Sequence, residues 1–335
     1  MQGSRYLFSL LRTPLFVLKS PVLFFVTFTM LLALVFSLNA AASTQLTPLQ
    51  QRADIVAEHT LGPNSVVIET ATIDDLFALY ELLDYHPVNW HHNNQAVPRI
   101  TFSKLAPTWV TDTRKLPVNV KKSLFYKLIM PLILMSNEAI LQERNFIMNA
   151  SLTDPKLVRL ALKYQVIADN RTSITESQKQ RLLARVDIIP PSLALAQAAE
   201  ESGWATSRFT LEGHAYFGQW DYSGNGMVPK QQRKELGNYG LARFDSPLES
   251  VQAYMLNLNT VSAYQEFRAQ RQSLRDSGET ITGLDLVDNL TLYSERGEAY
   301  TRSIRGLITY NELQYFDQAY LANMPVAFAI AQVGR

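Results

Sequence analysis

One stretch of the chain limits the architecture more than any other. From Leu193 to Ala199 there is no charge on any face, while Pro191 and Ser192 suit a helix start and Gly203 suits a helix end. A helix without a polar side has to be enclosed all round. Several other elements must therefore wrap it, and a chain of 335 residues has the length to provide them. Apolar periodicity and Pro, Gly or Ser punctuation predict further helices over 73–83, 119–148, 155–168 and 174–185, then over 247–258, 264–273, 283–290 and 299–311. Pro131 is expected to kink or divide the second of these. Beyond residue 174 only 216–244 breaks the helical pattern. Its glycines at 218, 224, 226, 237 and 240, set among aromatic and polar residues, predict a loop or small β-hairpin lobe on a mainly α body. No internal repeat occurs, which excludes a solenoid.

The N-terminus carries a different signal. Residues 1–20 hold Arg5, Arg12 and Lys19 with no acid, and 21–38 is an uncharged apolar run. That run lies near the lower limit for crossing a bilayer, where roughly 17 to 25 residues are needed, and the small residues Ala40, Ala41, Ala42 and Ser43 offer a signal-peptidase site. The expectation is a signal peptide or signal anchor over 1–43. Basic residues before the run place the N-terminus in the cytoplasm and everything after residue 43 outside the inner membrane, in the periplasm, either anchored or secreted after cleavage. The remainder divides into a stalk or appendage over 44–115, a helical preface over 116–185 and a catalytic part over 186–325.

Composition excludes several kinds of chemistry. The chain has no Cys, so disulfides, thiolate metal sites and Cys nucleophiles are ruled out. A formal charge of +1 provides no field to attract nucleic acid. No nucleotide-binding loop, dinucleotide fingerprint or Gly-X-Ser-X-Gly elbow is present. His91 and His92 are adjacent, so they point in different directions on any regular backbone, and no third ligand of suitable spacing accompanies them. Neither a metal nor a cofactor is expected.

Candidate chemistry lies at the end of the apolar helix. Glu200 and Glu201 occupy its C-terminal turn, where the helix dipole and burial both disfavour an ionised carboxylate. A carboxylic acid that keeps its proton near neutral pH is what acid-catalysed glycoside cleavage requires, because the leaving oxygen must be protonated as the bond breaks. Successive helical residues are about 100° apart, so only one of the two enters a given cleft and the other makes a structural contact.

Ala198-Ala-Glu-Glu-Ser-Gly-Trp204, followed by Tyr216-Phe-Gly218, resembles the signature of the bacterial glucosaminidase domain of autolysins and flagellar peptidoglycan hydrolases. The likeness continues through Phe244-Asp-Ser-Pro-Leu-Glu-Ser-Val251, Asn257-Leu-Asn-Thr260 with Ala263-Tyr264, and Leu292-Tyr-Ser-Glu-Arg-Gly-Glu-Ala-Tyr300. Within that family the sequence is most similar to Bax-like proteins, sharing Val97-Pro-Arg99, Glu143-Arg144 and Arg185-Val-Asp-Ile-Ile-Pro190. The resemblance implies a lysozyme-like helical domain cutting the β-1,4 bond after N-acetylglucosamine in a peptidoglycan glycan strand. It implies Glu201 as the catalytic acid and Tyr293 at the catalytic centre. A second carboxylate would come from the lobe, which offers Asp221, Glu235 and Asp245, with Glu235 preferred. The family often has Asn where this chain has Ala215. Trp220, Tyr222, Phe217 and Tyr264 are candidate sugar-binding aromatics, although Phe217, like Trp204, is also suited to packing. Alternatives on the same fold are a lytic transglycosylase, an amidase on the stem peptide and a non-catalytic wall-binding scaffold.

Overall fold

The computed structural model describes residues 65–69, 72–86, 96–169, 171–221, 225–229 and 240–323. The expected signal or anchor, His91, His92, Tyr222 and Glu235 lie outside these. Helices dominate, as expected for a mainly α fold. In chain order the elements are β1 (Val66–Ile68), α1 (Ile73–Leu82), β2 (Ala96–Val97), β3 (Ile100–Phe102), α2 (Trp109–Thr113) and α3 (Val118–Asn149). Next come α4 (Pro155–Lys163), α5 (Glu176–Arg185), α6 (Pro191–Ser202), α7 (Arg208–Gly213), β4 (Trp220–Asp221) and β5 (Gly240–Leu241). The chain continues through α8 (Pro247–Thr260), α9 (Gln265–Asp276), α10 (Gly283–Leu286), α11 (Glu298–Tyr310), a 3-10 segment (Leu313–Gln318) and β6 (Tyr320–Leu321).

Local chemistry starts these helices where the sequence places them. Thr72 with Asp75, and Thr175 with Gln178, form reciprocal capping boxes on α1 and α5. Asp154 before Pro155 and Ser246 before Pro247 cap α4 and α8 by accepting from backbone N–H groups of the first turn. Helix α6 has no such local cap. Its first turn is capped instead by Asp317, which accepts the Ser192 N–H at 2.8 Å, the Ser192 hydroxyl at 2.7 Å and the Gly283 N–H at 3.1 Å. The close approach of α10 to this end requires a glycine, since a Cβ on Gly283 would lie 2.2 Å from the Ser192 hydroxyl oxygen.

Helix α6 is enclosed as its composition demands. Every residue from Pro191 to Ala199 is buried, and α3, α10, α11 and the 3-10 segment pack around it. Helix α3 is apolar enough over much of its length to cross a membrane, but most of that length is inside the fold, packed on α6 and α8. Pro131 does not divide it: α3 runs unbroken from Val118 to Asn149. The proline costs the helix a backbone hydrogen bond, but the turns on either side, from Leu124 to Leu134, are buried against neighbours that keep the helix continuous.

The expected stalk is likewise part of the body where it is described. Val66, Ile68, Leu79, Tyr80, Ile100, Phe102 and Trp109 belong to the same buried cluster as α3 and α6, and β3 packs against α3 and α8. Short strands of two or three residues make up all the described β structure: β1 pairs parallel with β3, β2 parallel with β6, and β4 antiparallel with β5. The last pair, with a bridge from Met227 to Leu241, is the predicted hairpin lobe.

Two ionic features tie distant parts of the chain. Arg99 makes a bidentate pair with Glu138 on α3, at 2.6 and 2.8 Å, and also donates to the Ala322 carbonyl. Asp187, in the link between α5 and α6, accepts from Arg275 at 2.8 and 2.5 Å, with Arg144 3.7 Å away. Arg271 is fully buried behind it and donates to the carbonyls of Ala184, Arg185, Asp187 and Ile188 and to Asn259 Oδ1. Arginines from α3 and α9 thereby satisfy the carbonyl end of α5. Burial alone would raise the Asp187 pKa, but the hydrogen bonds from Arg275 and the charges of Arg271 and Arg144 hold it below the usual carboxylate range.

Candidate active site

Helix α6 ends in a left-handed turn that explains the residues following its two glutamates. Gly203, Trp204 and Ala205 have φ of 57°, 59° and 61°, which stops the helix abruptly. The Ser202 hydroxyl donates to the Ala198 carbonyl and accepts from the Ala205 N–H, pinning the turn. Trp204 then packs edge-on against Phe125 and Tyr126, at 5.5 and 5.6 Å between ring centroids, with the Lys122 ammonium 5.2 Å from its ring. Trp204 is therefore an anchor for the helix end and not a sugar platform.

The two glutamates diverge as their helical angles require. Glu200 turns outward to Arg296, 2.7 Å away, and to the Ser303 hydroxyl. Glu201 turns inward. Its carboxyl lies against the backbone of Gly218, where a Cβ would come within 2.8 Å of Oε2. Gly218 has φ of +62°, so the turn itself also favours glycine. One wall of the carboxyl's surroundings is thus bare main chain.

Phenol rings make up much of the rest. Tyr293 lies parallel to Tyr300, with centroids 5.4 Å apart, and stands 6.1 Å from Tyr264 and 6.4 Å from Tyr254. The Tyr300 hydroxyl accepts from Gln197 Nε2 at 2.9 Å, one helical turn before Glu201, and the Tyr293 hydroxyl donates to the Phe217 carbonyl at 2.9 Å. Burial raises the Glu201 pKa above the ordinary glutamate value; the Tyr300 hydroxyl and the Arg296 charge oppose this, and the neighbouring Glu200 charge adds to it. Burial also keeps Tyr254, Tyr264, Tyr293 and Tyr300 protonated, with the Glu201 charge acting in the same direction. The result is a carboxyl with a strengthened hold on its proton, surrounded by neutral hydroxyls.

The structure brings Glu201, Tyr293 and Tyr264 together. Phe217 is not an open sugar platform: its ring is buried and stacked on Tyr254 at 3.8 Å, and its contribution near Glu201 is the backbone carbonyl that holds Tyr293. Tyr264 is only 8% exposed, so its ring is a wall and not a free stacking face. Trp220 lies on β4 with 52% of its surface exposed, as a glycan platform requires. Asp245 is exposed, and its backbone N–H donates to Glu249. Sequence reasoning assigned no role to Gln197, Tyr254, Arg296 or Tyr300. The available signal was Gln197, a polar residue one helical turn before Glu201 in an otherwise apolar run. Among the described residues no group of His, Asp and Glu is arranged to hold a metal.

The Protein bax of Escherichia coli strain K12 is 32% identical over 209 residues, which span 60% of this chain and 74% of that protein. The chain is a Bax-like glucosaminidase-domain protein. The family model described as mannosyl-glycoprotein endo-beta-N-acetylglucosaminidase matches residues 177–313 of this Bax-like chain, from the start of α5 to the 3-10 segment after α11, and so contains the whole Glu201 environment. Among solved structures, the catalytic domain of the autolysin Auto from Listeria monocytogenes is 20% identical, with a TM-score of 0.31, over 52% of this chain and 96% of that domain.

Proposed function

We propose that this Bax-like protein hydrolyses the β-1,4 glycosidic bond after N-acetylglucosamine in peptidoglycan, with Glu201 as the general acid. The observation that carries this reading is the Glu201 carboxyl itself: it is delivered by an apolar helix to surroundings of phenols and bare backbone, where burial raises its affinity for a proton. Glu201 gives that proton to the glycosidic oxygen as the bond from the anomeric carbon breaks. The positive charge that develops on the sugar is quenched by water, which adds its oxygen to the anomeric carbon and loses a proton to a base. Glu235 is the first choice for that base, with Asp221 and Asp245 as the other lobe carboxylates. Tyr293, whose hydroxyl is oriented by the Phe217 carbonyl, keeps an oxygen lone pair for the substrate acetamido N–H. Exposed Trp220, with Tyr222 nearby in sequence, stacks on the sugar faces.

The reading places the enzyme outside the inner membrane, on the glycan strand, carried there by the 1–43 segment. Neither a metal nor a cofactor takes part. Digestion of purified sacculi followed by mass spectrometry tests it directly. Reducing N-acetylglucosamine ends are expected, and they should disappear with Glu201→Gln. Anhydromuramic ends, or digestion undiminished in that variant, would overturn the assignment.

A further inference from the structure

A chain of buried hydrogen bonds reaches Glu201 from behind, and all its protons point the same way. The Tyr254 hydroxyl donates to Gln197 Oε1 at 2.7 Å. Gln197 Nε2 donates to the Tyr300 hydroxyl oxygen at 2.9 Å, and Glu201 follows Gln197 by one turn on the same face of α6, beside that hydroxyl. Gln197 and Tyr254 come from α6 and α8, Tyr300 from α11, and all three side chains are buried, with at most 1% of any exposed. Each bond fixes the next. A phenol can donate only one hydrogen, so Tyr254 commits the Gln197 oxygen as acceptor and leaves its NH₂ to donate. That donation occupies a lone pair of Tyr300 and leaves its O–H for the carboxyl.

We infer that Gln197 and Tyr254 are positioning residues that hold Tyr300 as an obligate hydrogen-bond donor to Glu201, so that this three-residue relay sets how strongly the carboxyl keeps its proton. The chemical role follows from the two opposing demands on Glu201. A proton donor in an apolar pocket holds its proton well but forms its conjugate base at a high cost. A fixed O–H aimed at the carboxyl oxygen stabilises the carboxylate as it appears, and a donor that is itself hydrogen-bonded is polarised further. Glu201 is also faced by Glu200 and Arg296, which pair with each other, and by the neutral phenols Tyr254, Tyr264 and Tyr293. Tyr300 is the phenol whose hydroxyl draws the Glu201 pKa down. Its ring stacks on Tyr293 and lies 5.7 Å from the Arg296 guanidinium, which keeps it in place when the hydroxyl alone is removed.

Glu201 as general acid is the reading on which the catalytic part of this inference rests, so the test includes a measurement that does not depend on turnover. The whole chain is labelled with ¹³C at glutamate carboxyls, the Glu201 signal is assigned by its loss in Glu201→Gln, and its titration is followed in the native protein and in Tyr300→Phe, Gln197→Met and Tyr254→Phe. A donated hydrogen bond favours the charged form, so its removal must move the Glu201 titration to higher pH. The shift is expected to be largest in Tyr300→Phe, smaller in Gln197→Met and smallest in Tyr254→Phe. In sacculus digestion kcat should fall roughly ten- to a hundredfold in Tyr300→Phe, the range for a hydrogen bond to a charged group. KM should change little, and the alkaline limb of the pH profile should move upward in step with the titration. Should Tyr300→Phe fail to fold, the Gln197→Met and Tyr254→Phe shifts, in that order, decide the matter. An unshifted Glu201 titration in folded variants would overturn the relay. A shifted titration combined with full activity of Glu201→Gln would leave the relay standing and remove the catalytic role of the carboxyl.

Discussion

Asp187 and Glu201 stand at opposite ends of the segment that contains α6, both largely withdrawn from solvent, and their surroundings drive them in opposite directions. Asp187 has guanidinium groups of Arg144, Arg271 and Arg275 around it, and these hold it in its ionised form. Glu201 has phenols and a glycine backbone around it and is pushed toward the protonated form. Burial is common to both, so burial does not by itself make a proton donor. The difference lies in the charge of the neighbours: arginines turn a buried carboxylate into a fixed tie between helices, whereas neutral hydroxyls leave it able to give up a proton.

Swapping each carboxylate for its amide tests the contrast most severely. Glu201→Gln should lower wall-cleaving activity by roughly 10²- to 10⁴-fold, the usual contribution of a positioned general acid, with an unchanged circular dichroism spectrum. Asp187→Asn should do the reverse. Urea unfolding should show a loss of about 3–5 kcal/mol, because the arginines would be left without their buried counter-charge, while kcat of the folded fraction stays close to native. Gly218→Ala is expected to lie between these. Its Cβ meets the Glu201 carboxyl and its φ penalises any side chain, so activity should fall at least tenfold, with a stability loss of about 1–2 kcal/mol from the left-handed backbone.

The pH dependence of stability sharpens the same contrast, with the smallest effects. Asp187 has a depressed folded pKa, so its contribution is present above the unfolded value of about 3.9 and is lost as pH falls through the folded one. Glu201 has a raised folded pKa, so its contribution is complete below the unfolded value of about 4.3 and declines as pH rises through the folded one. Thermal unfolding should therefore show Glu201→Gln more stable than the native protein at pH 8 and converging with it near pH 4. Asp187→Asn should show its full deficit at pH 8 and a reduced one at strongly acid pH. A Glu201→Gln variant with no advantage at pH 8 would mean that the carboxyl carries no electrostatic strain.

Much of this contrast could not be read from the sequence, for physical reasons. Helices were legible because periodicity and caps are local: Thr72 with Asp75, Thr175 with Gln178, and Ser246 before Pro247 each announce a start within four residues. Glu201 was legible because the apolar run and its two terminal acids are contiguous. Whether Pro131 would divide its helix was not legible, because that depends on tertiary packing, which no local pattern encodes. The short strands β1, β2 and β3 show no alternation, so 44–115 reads as an appendage, although Val66, Ile68, Ile100 and Phe102 within it are buried in the core. Tyr254, Gln197 and Tyr300 escaped notice because three separate helices bring them together, and Phe217 looked like a sugar platform because sequence does not reveal that Tyr254 already covers its face.

The Arg99 contacts have a mechanical consequence. Strand β2 lies beside β6, the Ala322 N–H donates to the Val97 carbonyl, and the Arg99 guanidinium joins the Ala322 carbonyl to Glu138 of the longest described helix. Two positions far apart along the polypeptide thus meet at a single seam, so that the stretch between them is nearly a ring.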